Sequence, residues 1–119
     1  MRGIIIRTDG KAIACNATTL KEMQAAVGGD IEVITLDNCE IYCNENGFAE
    51  GLLPNPVATA FANERLRPAG RELITVDGYI VGDVLLLGMV DDEGGATDLP
   101  PEITPESISA ACAGEQERP

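Results

Sequence analysis

A run of four large aliphatic residues, Val-Leu-Leu-Leu at 84–87, constrains the fold more than any other feature of the sequence. It lies in the most apolar part of the chain, which comprises residues 79–81 and 84–90. No polar residue occupies alternate positions in the run, so a strand formed there must be covered on both faces. The sequence therefore predicts a central, fully buried strand.

The other strands are predicted from β-branched and alternating segments. Residues 3–7 contain three consecutive isoleucines, and residues 11–15 follow an Asp-Gly turn, so the two segments form a hairpin. Residues 31–36 alternate in polarity and precede a second strand candidate at 39–43. Residues 72–76 are a candidate for a further short strand.

Three helices are predicted from their end signals. Thr19 and Glu22 form a capping box that opens a helix over residues 20–27, which a Gly-Gly pair ends. A second helix covers 56–66, with proline at its first position. A short third helix covers 105–113.

The order of these elements, β-β-α-β-β-α-β-β-α, indicates the α+β class. We expect a mostly antiparallel sheet with two main helices and a short C-terminal helix. Residues 1–114 are predicted to form a single domain, and residues 115–119 a disordered tail.

The charge of the chain is strongly negative and unevenly distributed. The net charge is −12, and residues 72–119 hold eleven acids and one base. Such a body repels DNA, RNA and anionic membranes, so no direct nucleic-acid or membrane partner is expected. Against this background Arg65, Arg67 and Arg71 form the most unusual charge feature.

The residue types and their spacing do not indicate a catalytic site or a metal-binding site. The chain has no histidine, and Cys39 and Cys43 would lie about 13 Å apart on a strand, too far for one zinc ion. Residues 91–102 have the length of a calcium loop, but Ala96 occupies the position of the glycine that such a loop needs. We therefore expect no metal, no cofactor and no enzymatic activity.

The cellular location is predicted from two features that the sequence lacks. There is no secretory signal and no apolar run of the roughly 20 residues that a membrane-spanning helix needs. We expect a cytoplasmic protein whose four cysteines are reduced and behave as small apolar residues.

Five segments together resemble a known family. They are 27–32 (VGGDIE), 41–47 (IYCNENG), 51–60 (GLLPNPVATA), 80–84 (IVGDV) and 91–102 (DDEGGATDLPPE). In this order they are similar to the domain-of-unknown-function family 3846, whose members are found in tailed phages and conjugative elements.

The resemblance covers about residues 3–102. It departs at Asp30, where the family often has an aromatic residue, so a contact made by that aromatic is not carried over to this chain. The resemblance implies a mobile-element protein, located in the cytoplasm of an infected bacterial host. It implies no catalytic residues.

A site for an anion is predicted at the second helix. Its N-terminus would present free backbone N–H groups, and polar side chains recur at four-residue steps along one face. The arginines at its far end suit phosphate oxygens. The alternative is that the asparagine only caps the helix and that the arginines balance nearby acids. The candidate ligand-binding residues are Asn55, Thr59, Asn63, Arg65, Arg67, Arg71, Tyr42 and Asn44.

Three functions remain open on the sequence. The first is a homo-oligomeric binding protein that sequesters a small anionic host immune signal, such as a cyclic nucleotide or an ADP-ribose derivative, without cleaving it. The second is an acidic inhibitor or nucleic-acid mimic that binds a basic host protein. The third is an enzyme acting on a phosphodiester or glycosidic nucleotide.

Overall fold

The computed structural model describes residues 1–73 and 78–108. Five strands form one sheet in the order β2-β1-β5-β4-β3, and every neighbouring pair is antiparallel. The α+β class predicted from the sequence is confirmed. The strands are β1 (Arg2–Ile6), β2 (Ala12–Asn16), β3 (Ile31–Thr35), β4 (Cys39–Asn44) and β5 (Val84–Gly88).

The apolar run at 84–87 lies in β5, the middle strand of the sheet. All five residues of β5 are buried, and its neighbours β1 and β4 pair with it at Ile4↔Leu86 and Ile41↔Leu86. The absence of alternation in the sequence follows from this position, because both faces of β5 are covered.

The two longer helices of the described residues pack on opposite faces of the sheet. The helix α2 (Pro56–Leu66) buries Val57, Phe61 and Leu66 in the larger apolar cluster, where Ile108 also packs. The helix α1 (Leu20–Val27) buries Met23 and Val27 on the opposite face.

The helix ends follow the signals in the sequence. Thr19 and Glu22 form the capping box at the start of α1, and Gly28 ends that helix in the left-handed conformation. The bounds of α2 also match the prediction, and a short 3₁₀ turn (Arg67–Ala69) follows it. Residues 105–108 are helical, and the rest of the predicted third helix lies outside the described residues, as do residues 115–119.

The segment after β5 turns back along the sheet. The Gly88 amide donates to the Thr97 carbonyl at 2.8 Å, and the Leu99 amide donates to the Arg2 carbonyl at 3.0 Å. The Arg2 guanidinium in turn donates to the carbonyls of Leu99 and Ile103 at 2.8 and 3.2 Å. Thr97 is thereby fixed to the end of β5 and residues 99–103 to the start of β1, contacts that nothing in the local sequence signals.

Two segments predicted as strands do not appear among the five strands of the sheet. Residues 79–81 form no strand and make only a single bridge, between Val81 and Pro54. The proposed strand at 72–76 lies mostly outside the described residues, because 74–77 are not described.

Candidate functional site

A cavity of about 470 Å³ lies at the end of β4, on the face of the sheet that α2 covers. Its volume is within the range of small-molecule sites. Among the described residues, its lining consists of Glu32, residues 43–46, Phe48, Ala49 and residues 79–81.

Two aromatic rings form one wall of the cavity. Phe48 and Tyr79 have ring centroids 5.6 Å apart and planes inclined by 60°. The chain has only four Phe and Tyr residues, so half of them meet at this place. Both rings are half-buried, and an aromatic wall of this kind offers a face for a flat apolar group.

Asn44 holds the loop that carries Phe48. Its side-chain amide donates to the Val27 carbonyl at 3.3 Å and to Glu50 Oε1 at 3.2 Å, and its Oδ1 accepts from the Asn46 amide at 2.8 Å. Asn44 is 5% exposed, and these bonds use both of its donor hydrogens. We therefore regard Asn44 as a residue that positions the loop.

Gly47 allows this loop to approach the opposite wall. A Cβ atom at Gly47 would lie 2.7 Å from Val81 Cγ2, closer than carbon atoms can pack. The glycine in the Asn-Glu-Asn-Gly segment is thus required by a contact between residues 47 and 81.

The charged side chains of the lining are carboxylates. Glu32 extends from β3 and Glu45 follows β4, and both residues are exposed. Among the described lining residues there is no lysine or arginine. The cavity therefore favours N–H donors or a cation and disfavours an anionic group inside it.

Cys43 contributes a thiol, a potential nucleophile, to the lining of the cavity. Its surroundings keep this thiol in the neutral form. Burial, and then the charge of Glu32, raise its pKa to about 11. The thiol lies 3.6 Å from the Glu32 carbonyl, to which it can donate. Since only a thiolate attacks efficiently, this group is a weak nucleophile at neutral pH.

Alkylation provides a direct test of this thiol. With a pKa of about 11 in place of 9.0, about a hundredth as much thiolate is present at pH 8. We expect iodoacetamide to modify Cys43 in the folded protein roughly 100-fold more slowly than in urea, with the rate rising about tenfold per pH unit up to pH 10. Peptide mass spectrometry distinguishes Cys43 from the other cysteines. Rapid labelling at pH 8 would contradict the assignment.

The structure gives Asn55 a role in the framework. The residue is fully buried; its Nδ2 donates to the carbonyls of Ile6 and Gly82, each at 2.9 Å, and its Oδ1 caps α2 at the Ala58 amide. Thr59 donates to the Asn55 carbonyl and accepts from the Ile80 amide. These bonds occupy the polar groups expected to face an anion, so we remove Asn55 from the candidate site.

Tyr42 also lies away from the cavity. It is 4% exposed and packs in the smaller cluster, under α1, because adjacent residues of a strand point to opposite faces. Its neighbour Cys43 therefore faces the cavity while Tyr42 does not.

The three arginines do not converge on the start of α2. Arg65 lies over the Phe61 ring at 4.4 Å and reaches Asp37 at 3.9 Å, while Arg71 donates to the Thr35 carbonyl at 2.8 Å. Arg67 is exposed at the C-terminal end of α2. Arg65 and Arg71 thus contact Asp37 and Thr35 near the end of β3, and the Arg65–Asp37 contact fits the alternative in which the arginines balance nearby acids.

Two shallower hollows adjoin the cavity and contain other predicted residues. One, of about 330 Å³, is lined by Thr59 and Asn63 and shares Tyr79 with the cavity. The other, of about 250 Å³, is lined by Arg71 and shares Glu32. Three of the predicted ligand-binding residues thus flank the cavity without lining it.

The sequence analysis missed the residues that matter most here, namely Glu32, Phe48 and Tyr79. One signal was available in the sequence: Phe48 and Tyr79, two of the four aromatic residues, follow glycines in loops. Aromatic residues in loops are less often part of the hydrophobic core and more often part of a binding site. Glu32 gave no signal, because charged residues on an edge strand are common.

Residues 1–73 and 78–108 contain neither a metal-binding cluster of side chains nor a membrane-spanning helix. No group of three or more acidic, cysteine or histidine side chains in this part of the chain is placed to hold a metal ion. No helix in it is long and apolar enough to cross a membrane.

Comparison with known proteins gives one match. No curated protein and no solved structure matches the chain. A family model described as "Domain of unknown function (DUF3846)" matches residues 1–110, in agreement with the resemblance seen in the sequence. The chain belongs to the DUF3846 family.

Proposed function

We propose that this chain is a binding protein for a small nucleotide-derived ligand, whose base enters the cavity beside Phe48 and Tyr79. The observation that carries the proposal is this aromatic pair at the wall of a cavity of about 470 Å³. Stacking on such a ring contributes about 1–3 kcal/mol to the binding free energy of a base, whichever base it is.

The acidic lining supports a preference among bases. Glu32 and Glu45 are hydrogen-bond acceptors when ionised, so they suit a base with an exocyclic amino group. Adenine, guanine and cytosine carry such a group and uracil does not. The proposed ligand therefore has an amino-bearing base.

An anionic portion of the ligand would have to lie outside the cavity, since the carboxylates repel it. The adjoining hollow offers the guanidinium of Arg71, which there faces two carboxylates, Glu32 and Glu72. Arg71 is exposed and its Nη2 holds the Thr35 carbonyl, which fixes the group toward β3. In this arrangement the base and the phosphate occupy neighbouring depressions.

Binding without cleavage is supported by the chemistry of the lining. The chain has no histidine to act as a base, and the Cys43 thiol stays protonated at neutral pH. In the mobile-element setting that the family resemblance implies, such a protein would sequester a host immune signal in the bacterial cytoplasm.

The test is isothermal titration with a panel of cyclic dinucleotides and cyclic ADP-ribose derivatives. We expect one or more ligands with an amino-bearing base to bind, and Phe48→Leu to weaken that binding about tenfold by removing the stacking face while keeping apolar volume. Leu53→Ala is the control, because Leu53 is 69% exposed and does not line the cavity.

Two results would overturn the proposal. One is the absence of binding across the panel, and the other is binding that Phe48→Leu leaves unchanged. Recovery of a chemically altered ligand from the heat-denatured complex would show that the protein is an enzyme acting on the nucleotide. The rival acidic inhibitor would instead bind a basic host protein, lose affinity steeply with salt and be insensitive to Phe48→Leu.

A further inference from the structure

The strand β2 forms one edge of the sheet, and its outer backbone groups can be assigned. The Ala17 amide bonds the Met1 carbonyl and the Arg7 amide bonds the Lys11 carbonyl, so odd-numbered residues of β2 turn toward β1. The N–H and C=O groups of Ala12, Ala14 and Asn16 therefore point away from the sheet.

Within residues 12–16, this edge lacks the side chains that usually prevent strand pairing. Residues 12–16 (AIACN) contain no proline and no charged side chain, and Ile13 is 44% exposed. The opposite edge is protected, because β3 carries Glu32 and because Arg71 occupies the outward carbonyl of Thr35.

The charge distribution also distinguishes the β2 edge. Residues 1–17 contain three basic side chains and one acidic one, in a chain whose net charge is −12. Two copies of such a chain repel each other over most of their surfaces. Of the segments of the chain, the β1–β2 hairpin contributes few acidic side chains of its own, so pairing there brings fewer carboxylates together than pairing through residues 72–119 would.

We propose that two copies of this chain associate through β2, antiparallel and about a two-fold axis beside Ala14. Ala14 of each copy then exchanges hydrogen bonds with Ala14 of the other, and Ala12 pairs with Asn16. In the same register Ile13 lies opposite the second copy's Cys15, in a pair whose side chains approach closely. The product is a continuous ten-stranded sheet, which joins the two five-stranded sheets edge to edge.

This association is independent of the proposed ligand. The cavity lies beside β3 and β4, whereas β2 is at the far edge of the sheet. Each copy keeps a complete cavity, at opposite ends of the joined sheet. A chain that dimerises without binding nucleotides, or the reverse, would separate the two proposals.

The first test is sedimentation of matched variants at protein concentrations from ~1 μM to ~1 mM, where weak associations become half complete. Ile13 and Val33 have similar exposure, 44% and 47%, and lie on the two edge strands. We expect Ile13→Lys to weaken the dimer at least tenfold and Val33→Lys to leave it within twofold. Because the chains repel, the dimer should tighten with added salt.

The second test uses the outward N–H of Ala14. Proline is tolerated on an edge where the N–H faces solvent, so Ala14→Pro should keep the circular dichroism of the fold and give a monomer. If this variant does not fold, Ile13→Cys provides the alternative. Oxidation should then link its new thiol to the second copy's Cys15, while the wild-type chain stays uncrosslinked at Cys15.

The proposal is overturned if the wild-type chain is monomeric throughout the concentration range. It is also overturned if the dimer survives Ile13→Lys, is lost in Val33→Lys, or weakens as salt is added.

Discussion

Asn55→Ala should lower the free energy of unfolding by about 4 kcal/mol, a large part of the total for a domain of this size. The variant loses the cap of α2, which is worth about 1 kcal/mol. It also removes one donor from the Ile6 carbonyl, which still pairs with β5, and the Asn55 donor from the Gly82 carbonyl, and a buried carbonyl left unpaired costs about 1–3 kcal/mol. Urea unfolding followed by circular dichroism measures the effect.

Two further variants separate the contributions at this position. Asn55→Asp keeps the capping oxygen but replaces the donor by a second oxygen that faces two carbonyls, so it should cost at least as much as Asn55→Ala. Asn63→Ala is the control, since Asn63 lies half-buried on the same helix and should change stability by less than about 0.5 kcal/mol. A loss below about 1 kcal/mol for Asn55→Ala would contradict the assigned role.

Gly88→Ala should displace residues 97–99 from the sheet. A Cβ atom at Gly88 would overlap the Asp98 carbonyl oxygen and lie 2.5 Å from Thr97 Oγ1. The segment must move, which breaks the bond from the Gly88 amide to the Thr97 carbonyl and the bond from Thr97 Oγ1 to the Met89 carbonyl. We expect a loss of about 3 kcal/mol in the free energy of unfolding.

Hydrogen exchange locates this effect. The amide of Leu99, which donates to the Arg2 carbonyl, should exchange faster in Gly88→Ala. The amides of α1 should exchange only as fast as the lowered free energy of global unfolding requires. Gly95→Ala is the control, because the nearest atoms to its Cβ are the movable carboxylate oxygens of Asp91, at 3.2 Å and beyond. Unchanged exchange at Leu99 would show that the close approach at Gly88 is not needed.

Local signals in the sequence were sufficient for most of the elements. The bounds of α1 and α2 follow from a capping box, a proline and terminal glycines, all of which act within one turn. The position of β5 follows from a run with no polar face. By contrast, the contact of Arg2 with residues 99–103 joins positions about a hundred apart, and no local pattern encodes it.

The candidate site was less accessible to sequence reasoning, because it depends on which face each side chain takes. Asn55 caps α2, as one of the two interpretations of the sequence held, but its burial depends on contacts with Ile6 and Gly82, both distant in the chain. The aromatic pair was missed for the same reason, since Phe48 and Tyr79 meet only after folding. Spacing along a helix predicts neighbours on that helix and gives no information on what covers them.

The strand order has a consequence for how the nascent chain folds. The hairpins β1–β2 and β3–β4 each form from adjacent residues, but β5 has to insert between them and pairs Ile4 with Leu86. At about 5–20 residues per second, β1 waits several seconds on the ribosome before its central partner is made. During that interval both hairpins present an apolar face and an open inner edge, so we expect chaperones to bind the half-made chain and to release it once β5 has been synthesised.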